Sequence, residues 1–542
     1  MSKIFEQLVK RRGLDEAFLH PKYEKLSDPF LLPDMEAAVL RIIQAGKQGE
    51  KVIIYGDYDA DGVTAATVME EALHYAGVAQ VKIMLPDRFV DGYGMSKKVV
   101  QEAKRWGAKL VVTVDCGSNN AEVVSELKKI GVDTVVTDHH EILGKLPEAV
   151  AVVNPHREKP VDGNMDGILQ RNGMIDLAGV GVAFMVARAL TIRGVIPKGQ
   201  EKWMLDLVLI GTLCDSMKMS QENRILCYFG LVVLKKTRRV GLSELVLAAK
   251  VRKLNSEAVG FRIGPRLNAA GRIRSATVAL ELLRCQDRVK AARLAREIEE
   301  LNAERKKQQD EAIADIYKRG VSQDKVIVEV GEWHEGVLGI VAGRIAEDND
   351  RPTFILTSLS EDGYKGSGRS VNGFNMVEGI ENCRDCLISG GGHAGACGIK
   401  VKKEKIEEFR GKINEYYQGL GIKAKKEEKR VDVMISDLSE VNRELVAEIE
   451  GLEPFGPGNE EPIFEIHEGL ILETRRMGAE GQHLSVTVRG EKGGVMKLVA
   501  FFAPEKWLAI EKGERANFFV RFVENEYMGL VNVEAVIEDI VI

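Results

Sequence analysis

Val52-Ile53-Ile54-Tyr55-Gly56-Asp57-Tyr58-Asp59-Ala60-Asp61-Gly62 is the stretch whose reading decides the fold. Four apolar residues make a short strand of the kind buried on both faces, and the chain then breaks into three alternating aspartates. A helical pattern over 63–75 follows. The unit recurs: 81–85 reads as a second strand with a helix over 96–106, 110–114 as a third with a helix over 121–130, and 134–137 as a fourth. Apolar strands alternating with amphipathic helices predict a parallel sheet covered on both faces.

Acids collect where these strands end. The first runs into Asp57, Asp59 and Asp61, the third into Asp115, and the fourth into Asp138-His139-His140. Open α/β sheets build their sites at this edge. Crowding so many anions together without a cation costs several kcal/mol or forces protonation, so the pattern predicts divalent metal. Asp215 closes an apolar helix over 206–214; such a terminal acid ordinarily faces water, but in this company it reads as a ligand. Mixed oxygen and imidazole donors suit manganese, or magnesium. Two ions about 3.5–4 Å apart, sharing a carboxylate, would polarise a phosphoryl group and supply hydroxide near neutral pH. The same aspartates also open like an EF-hand loop. That loop needs a glutamate at its twelfth position, here Val68, and a helix rather than a strand before it.

Outward from this core, 542 residues are too many for one hydrophobic core, so several domains are expected. Hydrophobic content of 45% and charged content of 29% are those of a globular protein. Apolar runs such as 109–114 are too short to cross a bilayer, and the charged start lacks a signal peptide's apolar stretch, so a cytoplasmic location is expected. Seven scattered cysteines make no disulfide framework, and Cys383 and Cys386, a C-x-x-C without a second pair, read as helix packing rather than a zinc or redox site. A net charge of −6 argues mildly against a nucleic-acid partner unless arginines gather on one wall.

Helices dominate over 176–283. The charged, alanine-rich run 287–318, free of proline and glycine, predicts one long helix joining two lobes, solvated along its length. A second α/β lobe starts with a strand at 326–330. The almost wholly charged run 423–430 reads as a linker, and short β pieces such as 484–488 and 497–502 predict a small terminal barrel. The expected division is an N-terminal helical segment 1–45, a first lobe 46–286, a connecting helix 287–320, a second lobe 321–422 and a barrel 431–542.

Asp57-Tyr58-Asp59-Ala60-Asp61-Gly62, Asp115, Asp138-His139-His140 and Asp215, in this order, resemble the motifs of the DHH phosphoesterase superfamily. Gly264-Pro265-Arg266-Leu267-Asn268-Ala269-Ala270-Gly271-Arg272, Ser367-Gly368-Arg369-Ser370, Gly391-Gly392-His393-Ala394 and Leu452-Glu453-Pro454-Phe455-Gly456-Pro457-Gly458-Asn459 resemble its single-stranded-DNA-specific exonuclease branch. The resemblance implies an α/β protein: a parallel-sheet DHH domain and a smaller α/β DHHA1 domain joined by a long helix, plus a C-terminal OB-like β-barrel. It implies an exonuclease using two divalent ions, Mn2+ or Mg2+, to release 5′ mononucleotides from single-stranded DNA, 5′ to 3′, in recombination and repair. A monomer is expected, with a single-strand-binding protein and a helicase as further partners.

By the same resemblance Asp59, Asp61, Asp115, His139 and Asp215 would be metal ligands, with Asp115 the bridge and Asp57 a ligand or support. His140 would face the scissile phosphate and Asp138 would orient the histidine pair. Phosphatase relatives often begin the motif with a histidine, where this chain has Tyr55 and Asp57. Arg88, Arg266, Arg272 and Arg369 would give planar donors to phosphate oxygens and Ser367 a hydroxyl, with Asn268 and His393 beside them. The glycines around His393 would let backbone N–H groups approach an anion. The plain alternatives are surface ion pairs for the arginines and a simple turn for 390–392. Cys397 stands where the family commonly has a small residue such as alanine. Phe501, Phe502, Trp507, Phe518 and Phe519 are expected mostly in the barrel core. Two other functions compete. One is a phosphodiesterase acting on oligoribonucleotides, cyclic dinucleotides or pyrophosphate, against which the barrel argues. The other is a non-catalytic DNA-binding scaffold, against which the complete set of acids and histidines argues.

Overall fold

The computed structural model describes residues 1–92, 94–157, 169, 172–358, 363–422, 430–527 and 530–541, apart from the side chains of 526, 527, 530 and 531. The expected linker over 423–430 lies outside these except for Arg430.

Five parallel strands form the first sheet: β1 (Lys51–Tyr55), β2 (Gln80–Met84), β3 (Leu110–Val114), β4 (Asp133–Thr137) and β5 (Ala151–Val153), in the order β2-β1-β3-β4-β5. β3 is buried along its whole length, which is why it reads as an unbroken apolar run. The order reverses between β1 and β3. Connections leave those two strands toward opposite faces and open a crevice beyond their carboxyl ends. β5, three residues long, is the strand not expected. Helices Ala60–Tyr75, Gly179–Ile192 and Leu205–Cys214 stack behind the sheet, buried nearly all round. Close packing there leans on small residues: a methyl added at Gly230 would stand 2.6 Å from the Leu205 carbonyl oxygen.

A second mixed sheet runs β6-β7-β8-β10-β9, from Ile327–Gly331, Thr353–Ser358, Tyr364–Arg369, Ala396–Val401 and Leu387–His393 respectively. Cys383 and Cys386 are buried in its core as packing residues, and Asp385 between them pairs with Lys412 at 2.6 Å. Helix Arg288–Arg319 joins the sheets but is no solvated spacer. Ala291, Leu294, Ala295, Ile298 and Leu301 belong to the first lobe's core, and Ala312 and Ile316 pack in the second. Each buried leucine or isoleucine adds about 1.5–3 kcal/mol, so the two lobes are held at a set separation.

The barrel closes through β12 (Phe464–Met477), β13 (His483–Arg489), β14 (Val495–Ala500), β16 (Leu530–Val541) and β15 (Arg515–Tyr527), with β15 returning to β12; β11 (Val433–Ile435) adds alongside β12. The first 45 residues do not act as one segment. Helix Lys3–Arg12 sends Ile4, Phe5 and Leu8 into the barrel core and pairs Arg12 with Asp432 at 2.7 Å, while Met35–Gln48 packs on the first lobe. Leu452–Asn459 forms the joint between barrel and first lobe. Asn459 donates to the Leu452 and Pro454 carbonyls at 2.9 Å, and Glu453 accepts from the Ser256 amide at 3.0 Å. Buried Arg224 donates to the Glu453 and Gly451 carbonyls across the same joint. No helix among the described residues is long and apolar enough to cross a membrane.

Candidate active site

The loop after β1 is folded by its own acids. Asp59 caps helix Ala60–Tyr75 by accepting from the Gly62 amide at 3.0 Å. Asp61, in the first turn, accepts from the Gly179 and Val180 amides at 2.7 and 2.9 Å, so its carboxylate sits on the amino end of helix Gly179–Ile192. Gly62 has no alternative here, because a Cβ would stand 2.5 Å from the Asp57 carbonyl oxygen. At the end of β3, Asp115 adopts a left-handed φ of 58°, a conformation that asparagine and aspartate tolerate best. Gly179 makes room for it, since a methyl there would lie 2.5 Å from the Asp115 Cβ.

These turns bring the expected ligands together. Donor atoms of Asp57, Asp59 and Asp115 lie within 4.8 Å of one another, and so do those of Asp61, His139 and Asp215. His139 Nε2 links the groups, at 3.1 Å from Asp115 Oδ1, 3.6 Å from Asp215 Oδ2 and 3.8 Å from Asp61 Oδ2. By distance these are ion pairs, but burial and the nearby charge of His140 depress the His139 pKa to about 3, leaving a neutral ring whose lone pair faces carboxylates. Burial, reinforced by neighbouring aspartates, pushes Asp57 and Asp115 well above the usual carboxylate range. The same causes raise Asp61 to about 7 and Asp215 to about 8.

Asp57 Oδ1, Asp115 Oδ1 and His139 Nε2 are all buried without a hydrogen-bond partner. Leaving one such atom unsatisfied costs about 1–3 kcal/mol, and here three converge. A divalent cation fits this set: it turns mutual repulsion into attraction, and carboxylate with imidazole suits manganese or magnesium.

His140 is arranged differently. Its Nδ1 lies 2.9 Å from Asp138 Oδ1, which also accepts from the His139 and His140 amides, while Oδ2 accepts from the Ser118 amide at 2.9 Å. Burial opposes charge on both groups, yet their hydrogen bond and mutual attraction prevail, holding Asp138 at about 2 and His140 at about 9. Asn154 braces the pair by donating to Ser118 Oγ at 2.8 Å and to the His140 carbonyl at 2.9 Å. Across the cleft, the His393 ring lies nearly parallel to that of His140, 6.2 Å away.

Beside the acids is a knot of cations. Arg272, half-buried and in no ion pair among the described residues, is depressed to about 9 by burial and then by the charges of Arg88 and Arg369. Arg369 is lowered too, by burial above all. Its Nη1 donates to Ser367 Oγ at 3.1 Å, close to the start of helix Leu338–Asn349. Arg88 lies over the Tyr58 ring at 4.9 Å. Two expected phosphate contacts are otherwise engaged. Arg266 grips Glu299 of the long helix at 2.5 and 2.9 Å, and Asn268 Oδ1 accepts from the Ala60 amide at 2.8 Å, bracing the aspartate loop. Residues 390–392 are strand, not turn: they lie in β9 and pair with β10.

Comparison with known proteins agrees with this layout. Residues 51–212 match the DHH family N-terminal domain, 323–419 the DHHA1 domain and 431–539 the RecJ OB domain. The chain is 36% identical over 555 residues to the single-stranded-DNA-specific exonuclease RecJ of Bacillus subtilis, covering 99% of this chain and 68% of that one. It is 33% identical over 538 residues to the Escherichia coli RecJ, covering 94% and 90%. The chain belongs to the RecJ family. Its fold superposes on RecJ from Thermus thermophilus in complex with Mn2+ with a TM-score of 0.83 at 28% identity, over 100% of this chain and 76% of that one. RecJ from the same organism has also been solved with Mg2+. Against that family pattern, four supports had gone unmarked in the sequence: Gly179, Gly211, Ser118 and Asn154. A methyl at Gly211 would stand 2.5 Å from Asp61 Oδ1. These four meet the acids only through the tertiary fold, and no local spacing signals them.

Proposed function

We propose that this chain is a metal-dependent exonuclease specific for single-stranded DNA, releasing mononucleotides from the 5′ end. The observation that carries the reading is the three buried, unpartnered donor atoms on Asp57, Asp115 and His139, set beside arginines that pair with no acid of their own among the described residues. Asp57, Asp59 and Asp115 would hold one cation, and Asp61, His139 and Asp215 the other, with Asp115 shared. When bound, such ions polarise the phosphoryl group and lower the pKa of water. His140, kept charged by Asp138, donates to a phosphate oxygen, and Asp138 fixes which ring nitrogen faces it.

Arg88, Arg272, Arg369 and Ser367 hold the terminal phosphate. A 5′-phosphorylated end carries the anion these groups need, and a 3′-hydroxyl end does not, which favours 5′-to-3′ polarity. The lobes touch behind this pocket, with Phe89 edge-on to His334 at 5.6 Å and Gly336 packed on the Arg272 carbonyl. Arg266 and Asn268 act one layer further out, as positioning residues. The enzyme would work as a cytoplasmic monomer in recombination and repair, on strands exposed by a helicase and bound by a single-strand-binding protein.

Incubation with manganese and 3′-labelled strands tests this. Single-stranded DNA carrying a 5′ phosphate should be shortened from that end, ahead of the 5′-hydroxyl strand, the RNA strand and the duplex. Preference for short RNA or cyclic dinucleotides would support the phosphodiesterase alternative, and binding without cleavage the scaffold. The RecJ-type barrel and the full ligand set favour neither.

A further inference from the structure

The six ligands assigned above are not held alike. Asp59 caps a helix, Asp61 accepts from two amides, and Asp57, Asp115 and His139 lie buried just past the ends of their strands. Asp215 differs. Its side chain is 31% exposed, against 1% for Asp61 and 8% for His139, and no hydrogen bond among the described residues holds its carboxylate. Only its backbone aims it.

That backbone is a tight helix end. Asp215 closes helix Leu205–Cys214, and beyond it the Ser216 amide donates to the Leu213 carbonyl at 3.2 Å and the Met217 amide to that of Thr212 at 3.1 Å. Such a pairing puts the residue after the cap in the left-handed region, where glycine is usual. Here it is Ser216, at a φ of 57°. A residue without glycine's freedom keeps this conformation only where its surroundings impose it. Two contacts hold the chain immediately beyond. Asn223, on the first lobe's next helix, donates to the Lys218 carbonyl at 2.9 Å. The other contact comes from the barrel domain: the Met219 amide donates to the Pro457 carbonyl at 2.7 Å. Beside that bond a methyl added at Gly456 would stand 3.4 Å from the Met219 side chain and 3.5 Å from that of Leu213, and Gly458 lies against Lys218. The 452–459 loop is itself stiffened by Asn459, 2% exposed, which donates to the Leu452 and Pro454 carbonyls.

We propose that this loop of the barrel domain positions a metal ligand: Asn459 holds Pro457 in place, and Pro457 holds the turn that aims Asp215. The proposal rests on the ligand assignment of the exonuclease reading and adds what sets one of its two sites. The barrel's seat and the ion assigned to Asp61, His139 and Asp215 are then coupled. A shift of the loop alters the affinity for that ion, and the bound ion firms the seat by the same factor. Asp57, Asp59 and Asp115 are carried by the loops after β1 and β3, so the other ion is spared.

The test is manganese binding to the metal-free full chain by titration calorimetry, with hydrogen exchange of the amides over 214–219 read alongside. Asn459→Ala should weaken one of two manganese affinities about 10- to 100-fold, as loss of a group that orients a ligand does, and leave the other within about twofold. Exchange over 214–219 should quicken while that over 57–66 stays unchanged. Gly456→Val keeps every hydrogen bond of the joint but wedges the loop off Leu213 and Met219. It should act likewise, and it gives the same reading should Asn459→Ala fail to fold. Asp215→Asn is the reference and should weaken the same site. Parental affinities in the folded loop variants, with Asp215→Asn weakened, would overturn the positioning role. Equal loss at both sites would overturn it too, as a general loosening of the fold. Parental affinities in Asp215→Asn itself would count against the ligand assignment, and with it the exonuclease reading.

Discussion

Replacing Asp115 with asparagine should make the metal-free protein more stable and the enzyme nearly inactive. Asp115 is buried among Asp57, Asp59, Asp61 and Asp215, all of which raise its pKa after burial itself. The folded carboxyl groups of Asp61 and Asp215 titrate near 7 and 8 against about 3.8 unfolded, so between about pH 4 and 8 the folded chain binds the more protons. Stability from these groups is thus complete below about pH 4 and is lost as pH rises through 7 and 8, each contributing a slope of at most about 1.4 kcal/mol per pH unit. The substitution removes the central charge, so this slope should flatten and the melting temperature in chelator at pH 8 should rise above the parent's.

Manganese reverses the order. A cation at about 100 times its Kd stabilises the parent by about 2.7 kcal/mol, or about 5–10 °C in Tm for a lobe of this size. Asp115→Asn should lose most of that gain, together with about 100- to 1,000-fold in kcat from weakened charge stabilisation. Differential scanning calorimetry from pH 5 to 8, with chelator and with manganese, reads both effects. A metal-free Asp115→Asn protein less stable than the parent at pH 8, or one keeping the full manganese shift, would refute the reasoning.

Three further outcomes follow from the geometry. Arg369→Ala should cost about 10- to 100-fold in kcat/KM on a 5′-phosphorylated strand and little on a 5′-hydroxyl one, since charge-assisted hydrogen bonds are worth about 1.5–3 kcal/mol, whereas Arg266→Ala should leave that phosphate preference intact; steady-state kinetics on the paired strands separates the two. Gly179→Ala, which in an open helix would stabilise, should instead cost about 1–3 kcal/mol in chemical denaturation and displace Asp115, because the added methyl meets its Cβ at 2.5 Å. In metal-free protein followed by NMR, His140 should titrate near 9 and fall toward its ordinary value in Asp138→Asn; the stability it lends is present below about 6.5 and lost as pH rises through 9.

Much of the fold was legible because it is written in contiguous residues. Strands such as Leu110–Val114 are unbroken apolar runs, and the acids lie within a few residues of their ends. The long helix stands where its residues predict it, but the burial of one of its faces was missed for the opposite reason. Its surplus of lysine, arginine and glutamate masks a stripe at 291, 294, 295, 298 and 301, which keeps helical spacing and is buried. Motif spacing also shows which residues meet without showing which way they face. Arg266 and Asn268 stand in the same run as Arg272, yet one turns to Glu299 and the other to the Ala60 amide. The glycines against Asp61 and Asp115 are invisible until helices distant in sequence are stacked.

The sign of the whole chain misleads in an instructive way. A net charge of −6 suits a polyanion poorly, but it is the pairing of charges that decides. Arg12, Arg41, Arg239, Arg266 and Arg284 are each matched to a carboxylate, with Asp432, Asp133, Asp206, Glu299 and Glu70 as partners. Such pairs present little field to a ligand. Arg272 and Arg369 are depressed because burial and like charges surround them and no described carboxylate pairs with them, while a few residues away carboxylates and His139 lack a cation. Two uncompensated charges of opposite sign, held side by side in one cleft, are each unstable alone. A strand end whose scissile phosphodiester meets the metal site and whose terminal phosphate meets the guanidinium groups would satisfy both, so the strain in the free protein would become binding energy beside the bond to be cut.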